Sequence, residues 1–383
     1  MKDQNIYLTG TPNGVIDVRG TPGKIIVRPG KPQDYVTKST KFGVPDLNMN
    51  SRIVKEVLSY VSKVYRNVNV RNFFWRFMAS LLKSGNADKI FPMFVGEGDN
   101  SKSMIVVLIG YALGQYVHHL PTATITGKAV GADQATPSLI SALGTKLVVL
   151  DEPDESESVR SGTVKKLTGG DLQYLRDLFQ KGSDITDQFI SYKIIAITNK
   201  PLTINDCQRA IWQRTCLIDH TSRWVASGYP ATEEEQFQQG LFPMDTNFNT
   251  KLIKMAPAFL WLMIHFYPEY AKDGLYRPKE IQDSTEKFRI ANNYYMQFTT
   301  EKIKPVLNLQ GLPDQNAVIT LLEMYNSFRT WFKEEQLKVR QPDKLTFKAN
   351  MELVLGAKAP TDTWTGFRLE ATEKKAVGGL LSF

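Results

Sequence analysis

The sequence predicts an α/β protein with a phosphate-binding loop at its centre, and three stretches carry that prediction. An apolar run, Phe91–Val95, ends in GEGDNSKS (Gly96 to Ser103), and an apolar helical segment, Met104 to Leu113, follows directly. About 50 residues on, KLVVLDE (Lys146 to Glu152) is a second strand-like run, finishing on two adjacent carboxylates. A third, KIIAITNKP (Lys193 to Pro201), sets a polar pair, Thr198-Asn199, at its tip. Strand-like and helical runs alternate over 91–222, as in a sheet covered by helices.

Ahead of this core, residues 1–47 are rich in Gly, Pro, Thr and Val (NGVIDVRG, KIIVRPG), which predicts short strands and tight turns. From Leu47 to Ser84 the apolar spacing turns helical, through Ile53, Val54, Val57, Leu58, Val61 and Val64, then Phe73, Phe74, Phe77, Met78 and Leu81.

In the core, Gly96, Glu97, Gly98, Asp99, Asn100, Ser101, Lys102, Ser103 and Met104 form the candidate nucleotide-binding set. The glycines let backbone N–H groups close on phosphate oxygens, Lys102 neutralises charge on the outer phosphates, and the Ser103 hydroxyl ligates Mg²⁺. The strict pattern G-x-x-x-x-G-K-[ST] is not met, because Ser101 stands where its second glycine would be. Strand before, helix after and acidic strand downstream supply the context. Asp151 would hold the metal through water and Glu152 would orient and polarise the attacking water. Asn199 at its strand tip is placed to reach a γ-phosphate. In RAIWQRT, Arg209 and Arg214 lie beside an apolar stripe and suit a finger into a neighbouring subunit's nucleotide, worth about 10³ to 10⁵ in rate where measured for related chemistry. The pair His118-His119 is read as helical and structural, since adjacent histidines splay apart and no acidic or Cys cluster joins them.

Residues 223–250 are polar and turn-rich and read as an excursion or linker. Helical patterns follow at Leu252 to Tyr267, Lys279 to Lys304 and Ala317 to Gln336; the tail adds helices at Val318 to Lys333 and Leu345 to Leu355, then WTGFRLE, a strand with a wing-like turn. The most apolar window, Ala258 to Tyr267, is bracketed by Pro257 and Pro268 and falls short of the roughly 20 residues that cross a bilayer. The chain opens on Met1-Lys2-Asp3-Gln4 with no apolar signal region. A net charge of +8 and a pI near 9.2 favour a polyanionic partner. Two cysteines, Cys207 and Cys216, build no disulfide framework, which points to a reducing compartment.

The order of these segments resembles the superfamily 3 helicases, within the AAA+ ATPases, of the phage, poxvirus and African swine fever virus primase-helicase type. GEGDNSKS resembles their Walker A (usually GxGxNGKS), LVVLDE their Walker B, KKLTGGD (Lys165 to Asp171) their B′ motif, AITNKP their motif C with Asn199 as sensor 1, and IWQR their arginine-finger element with Arg214. NGVIDVRG with PQDYVTKST looks like the edge of the domain preceding the motor; Pro278 to Phe298 and Tyr325 to Leu337 look like the helices that follow it. The resemblance implies an AAA+ P-loop core over 91–222, with a mixed or helical collar and oligomerisation region at 1–90. It further implies a linker and helical lid at 223–310 and a helical, winged-helix-like domain at 311–383.

The same resemblance implies ATP and Mg²⁺ as cofactors and a ring, usually hexameric, moving 3′→5′ on single-stranded DNA. A hairpin should precede sensor 1 with its tip at Gln180 to Ser183, so that Lys181, assisted by Lys165 or Lys166, contacts backbone phosphate. The implied partners are single-stranded and fork DNA, further copies of the chain, and a primase domain or other replication proteins, with no membrane. The expected setting is the host cytoplasm or a viral replication site, and the expected status is the carboxy-terminal part of a longer polypeptide. The alternative is an ATP-dependent ring remodeller, or an initiator that holds DNA without unwinding it.

Overall fold

A computed structural model of the chain describes residues 3–20, 24–126, 136–151, 158–170, 172–175, 186–204, 206, 208–335, 341–356 and 361–370. They group into two compact units, one within 1–204 and 209–288 and the other, apart from a short piece at 205–208, within 289–383.

The first unit opens with the expected short strands, β1 (Leu8–Thr11), β2 (Gly14–Asp17) and β3 (Ile26–Arg28), paired as an antiparallel sheet. Helices α1 (Arg52–Val64) and α2 (Val68–Ser80) follow; the Asn67 side chain caps α2 by accepting from the N–H groups of Asn69 and Val70. Then come β4 (Phe91–Val95), α3 (Lys102–Leu113), β5 (Val117–Leu120), two short helical turns α4 (Ala123–Thr126) and α5 (Pro137–Ser141), β6 (Leu147–Leu150) and α6 (Ser161–Gly169). An antiparallel pair, β7 (Leu172–Leu175) and β8 (Thr186–Phe189), precedes β9 (Lys193–Thr198), α7 (Arg209–Trp212) and β10 (Thr215–Asp219).

Strands β4, β5, β6, β9 and β10 form one all-parallel sheet in the order β10-β4-β9-β6-β5, the arrangement of a P-loop NTPase-like core. Strands β4, β6, β9 and β10 are mostly buried apolar runs because both their faces are covered, whereas β5 at the sheet edge carries His118 and His119. Phe94, Leu147, Val149, Ile195, Cys216 and Ile218 pack into one core with α1, α2 and α3. Phe91, Met93, Val148, Leu150, Ile194, Ala196 and Leu217 pack on the other face with Val164 and Leu167 of α6 and Trp212 of α7. Alternate residues of each strand thus serve opposite cores.

Two lysines sit at the amino-terminal edge of this sheet, buried and without an ion pair to a carboxylate among the described residues. Lys146 Nζ donates to Leu82 O (3.0 Å) and Ser84 Oγ (2.9 Å), and Lys193 Nζ donates to Ser80 O (3.1 Å) and Gly85 O (2.6 Å). They bind the carbonyls at the end of α2, where the helix dipole is negative. Burial nevertheless pushes both ammonium groups down, Lys146 to about 7 and Lys193 to about 8.

Within the first unit, three readings of the sequence are revised. His118 and His119 lie on strand β5 rather than a helix, because β5 pairs with β6 along its whole length. The prolines expected to bracket the apolar window lie inside one 26-residue helix, α9 (Phe248–Asp273), which Leu252, Met255, Phe259, Leu262, Met263 and Tyr267 anchor by burial. That packing outweighs the lost backbone bonds. The segment read as a linker is ordered: β11 (Arg223–Val225) and β12 (Leu241–Pro243) pair in parallel around α8 (Glu233–Gln239), and Arg66 Nη1 binds the carbonyls of Phe237 and Gln238. A further helix, α10 (Lys279–Asn292), follows α9.

In the second unit, α11 (Tyr294–Lys302), α12 (Leu321–Glu334) and α13 (Lys344–Leu355) surround Phe298, Phe328, Trp331, Phe347 and Met351. Thr320 and Glu323 form a capping box on α12, and for this reason Val318–Thr320 is a strand instead of the helix start expected there. Four short strands, β13 (Ile303–Pro305), β14 (Val318–Thr320), β15 (Thr363–Thr365) and β16 (Phe367–Leu369), complete it; β13 pairs with β16 and β14 with β15.

Candidate nucleotide site

A parallel sheet gathers the carboxyl ends of its strands along one edge, and loops there converge. The registers Val95 with Thr198, Val95 with Asp219, and Leu120 with Leu150 put Gly96, Asn199, His220 and Asp151 on that edge. The candidate phosphate loop runs from β4 to α3 through a tight backbone in which both Asp99 (φ 57°) and Ser101 (φ 62°) are left-handed. Ser101 therefore occupies the conformation that a glycine would take more cheaply. Such a backbone turns successive N–H groups inward, and the open first turn of α3 adds more of them.

Lys102 is buried, and its ammonium donates to Gly96 O and, at 3.1 Å, to Asn199 Oδ1. Strands β4 and β9 are neighbours, which explains how residues 97 positions apart meet. Asn100 is also buried; its side chain donates to Glu97 O and accepts from the Lys102 N–H. Glu97, Gly98 and Ser103 are exposed and Met104 is half-buried.

Asp151 lies one strand further along the edge, exposed, with its carboxylate 3.1 Å from His119 Nδ1. Its backbone carbonyl accepts from Thr122 Oγ1. Ser103 and Asp151 are both hard oxygen donors facing solvent, the chemistry that Mg²⁺ takes together with nucleotide phosphates. Glu152 lies outside the described residues, as do Lys181 and the expected hairpin tip; β7 and β8 pair on either side of 176–185, the stretch that contains them. Lys165 and Lys166 ride on α6, the latter exposed in its last turn.

Arg214 is not brought to this edge. Its carbonyl accepts from Phe91 N–H at the start of β4, one strand length from Gly96, while its guanidinium donates to Ala210 O (2.7 Å) and Thr168 Oγ1 (3.1 Å). Arg209 is exposed at the head of α7.

Several residues that sequence reasoning passed over hold the loop. His220, buried just beyond β10, donates its N–H to Val95 O (2.7 Å) and lies 3.2 Å from Tyr65 Oη through Nε2 and 3.4 Å from Asn100 O through Nδ1. Burial pushes its pKa down to about 3, so it acts as a neutral strut. The Trp224 backbone N–H donates to Asp99 O (2.9 Å), while its ring packs on Phe242. A lone histidine after a strand gives no signal of this kind. Beside the loop, a cavity of about 1180 Å³ opens between α1 and the start of α9, lined by Tyr60, Lys63, Trp224, Met244, Phe248 and Asn249 as well as residues 98–104. It mixes aromatic, cationic and amide side chains and exceeds what a triphosphate alone would fill.

Comparison with known proteins finds similar sequences over most of the chain. "Putative helicase 121R" of Invertebrate iridescent virus 3 is 29% identical over 341 residues, covering 86% of this chain and 35% of that protein. "Putative helicase L207/L206" of Acanthamoeba polyphaga mimivirus is 25% identical over 333 residues, covering 86% and 33%. This chain is similar to viral proteins named putative helicases. "Putative primase C962R" of African swine fever virus (isolate Warthog/Namibia/Wart80/1980) extends the set, 19% identical over 340 residues and covering 86% and 34%. The chain spans about a third of the length of these relatives. No family model matches it. Among solved structures, an apo form of the NrS-1 C terminal region aligns over 81% of this chain and 64% of that one, with a TM-score of 0.43 and 12% identity. No helix among the described residues is long and apolar enough to cross a membrane.

Proposed function

We propose that this chain is the ATP-hydrolysing motor of a viral DNA helicase of the superfamily 3 type, working in viral genome replication as a hexameric ring that moves 3′→5′ along single-stranded DNA. The observation that carries the reading is the convergence, on one sheet edge, of the loop at 96–103, the Lys102–Asn199 contact and the Asp151 carboxylate. ATP would place its phosphates on that loop. Lys102, now held by Gly96 O and Asn199, would exchange those partners for phosphate oxygens, and the base would enter the adjoining cavity. Ser103 and Asp151 would hold Mg²⁺, which when bound offsets phosphate charge. Glu152 would orient water, and Asn199 would sense the γ-phosphate.

Arg214, at the opposite edge of its own sheet, would serve the nucleotide of an adjacent subunit, positioned through Thr168. Lys165, Lys166 and Lys181 would track DNA phosphates, and the second unit would act as a winged-helix-like accessory. A primase region or other replication proteins would be the partners, in the host cytoplasm or at a viral replication site. ATP hydrolysis measured with and without single-stranded DNA, alongside particle imaging, tests this. Stimulated hydrolysis by closed rings is the expected result; rings whose hydrolysis ignores DNA would instead favour the remodeller or DNA-holding initiator.

A further inference from the structure

The structure assigns a second nucleic-acid contact to the other unit: the turn between β13 and β14 is an apolar wedge that lodges against the end base pair of a DNA duplex. Leu307, Leu309 and Leu312 stand on this turn with 60%, 108% and 59% of their surface exposed. Three leucines this open within six residues are not scattered surface residues; they form one apolar tip.

Nor is the turn slack. Asn308 N–H donates to Leu312 O (2.8 Å) and Gly311 N–H returns to Asn308 O (3.0 Å). The Asn308 side chain accepts from the N–H groups of Gln310 (2.9 Å) and Leu312 (3.0 Å). Gly311 takes the left-handed conformation (φ 75°) that lets the chain reverse. At the base, Val306 N–H donates to Gly366 O and Asp314 N–H to Val306 O, so the tip is fastened to the paired strands.

Beneath the tip, Lys304 and Arg368 lie directly across from each other on β13 and β16, both exposed. Like charges so placed repel unless an anion joins them. Lys304 has Glu370 at 3.6 Å, whereas the Arg368 guanidinium makes no ion pair among the described residues. Leucines at the tip with cations about the base match a duplex end, whose stacked bases are apolar and whose phosphates are anionic. Apolar wedges unstack base steps in this way in other DNA-binding proteins. The wedge rests on the reading that the chain works on duplex DNA, and it would split the strands as the motor pulls one of them.

The test uses the whole chain and a forked DNA carrying 2-aminopurine at the junction pair, with no nucleotide added. The wild type should raise the junction fluorescence. The triple variant Leu307→Ser, Leu309→Ser, Leu312→Ser, which touches only exposed side chains, should lose that rise and slow unwinding about tenfold while keeping DNA-stimulated ATP hydrolysis. Leu309→Phe should preserve both signals. A triple variant that brightens the junction like the wild type overturns the wedge, as does one that changes only the oligomeric state or only the capture of another protein. Because the fluorescence needs no ATP, a chain that fails to hydrolyse ATP would sink the motor reading and still leave the wedge to be judged.

Discussion

A single methyl group at Gly96 probes how the phosphate loop is held. A Cβ built there would lie 2.6 Å from His220 O and 3.2 Å from His220 Cβ, and would also strike Asn100 Nδ2. The Asn100 amide can swing, but His220 O is backbone, fixed because its own N–H is bonded to Val95 O. Either the strand end or the loop must shift. Gly98, two residues on, has nothing within 4 Å of the same hypothetical atom and lies outside the positive-φ region. Overpacking of the first kind costs about 1–3 kcal/mol, whereas an accommodated Gly→Ala change gains about 0.4–1 kcal/mol through the unfolded chain. If the strain falls on the loop, Gly96→Ala should weaken ATP binding roughly tenfold to a hundredfold. Denaturant unfolding and nucleotide titration of both variants measure the contrast. Equal behaviour of Gly96→Ala and Gly98→Ala would refute the packing argument.

Other expectations concern separate parts of the molecule. Lys102→Ala should abolish ATP turnover, while Glu152→Gln should keep nucleotide binding and lose turnover, as radiolabelled ATP can show. Lys146 and Lys193 have folded pKa values, about 7 and about 8, below those of an unfolded chain, so the folded state binds fewer protons and stability should rise with pH from about 7 to 9. The slope is at most about 1.4 kcal/mol per pH unit for each lysine, and Lys146→Met should flatten it in denaturant midpoints. Single-strand DNA affinity should fall with salt, and Lys166→Ala or Lys181→Ala should each reduce the log–log slope by about 0.7.

How much of this could be seen in the amino-acid order depended on whether the signal was local. GEGDNSKS and KLVVLDE announced their turns and strands because glycine, lysine and terminal carboxylates act within a few residues. The continuous apolar runs at 91–95, 147–150 and 194–197 announced a sheet buried on both faces. His118-His119 misled because two polar residues carry no periodicity; pairing with β6 made them strand. The α9 prolines misled because their local penalty is set against burial supplied by α1, α2 and α3, distant in sequence. The struts His220, Tyr65 and Trp224 left no local trace, since each matters only for what lies 100 or so residues away. Polar composition at 223–250 hid β11 and β12, whose pairing places Trp224 against the loop.

Completion of one subunit's nucleotide site by another is the claim on which the motor reading turns, because Arg214 lies at the far edge of its own sheet from Lys102. Mixing Arg214→Ala protein with Lys102→Ala protein tests it directly, with ATP hydrolysis as the readout. Each variant alone should be inactive, and the mixture should regain part of the wild-type rate as intact loops meet intact arginines. A mixture as inactive as its components, in rings shown by imaging to contain both, would contradict the assignment.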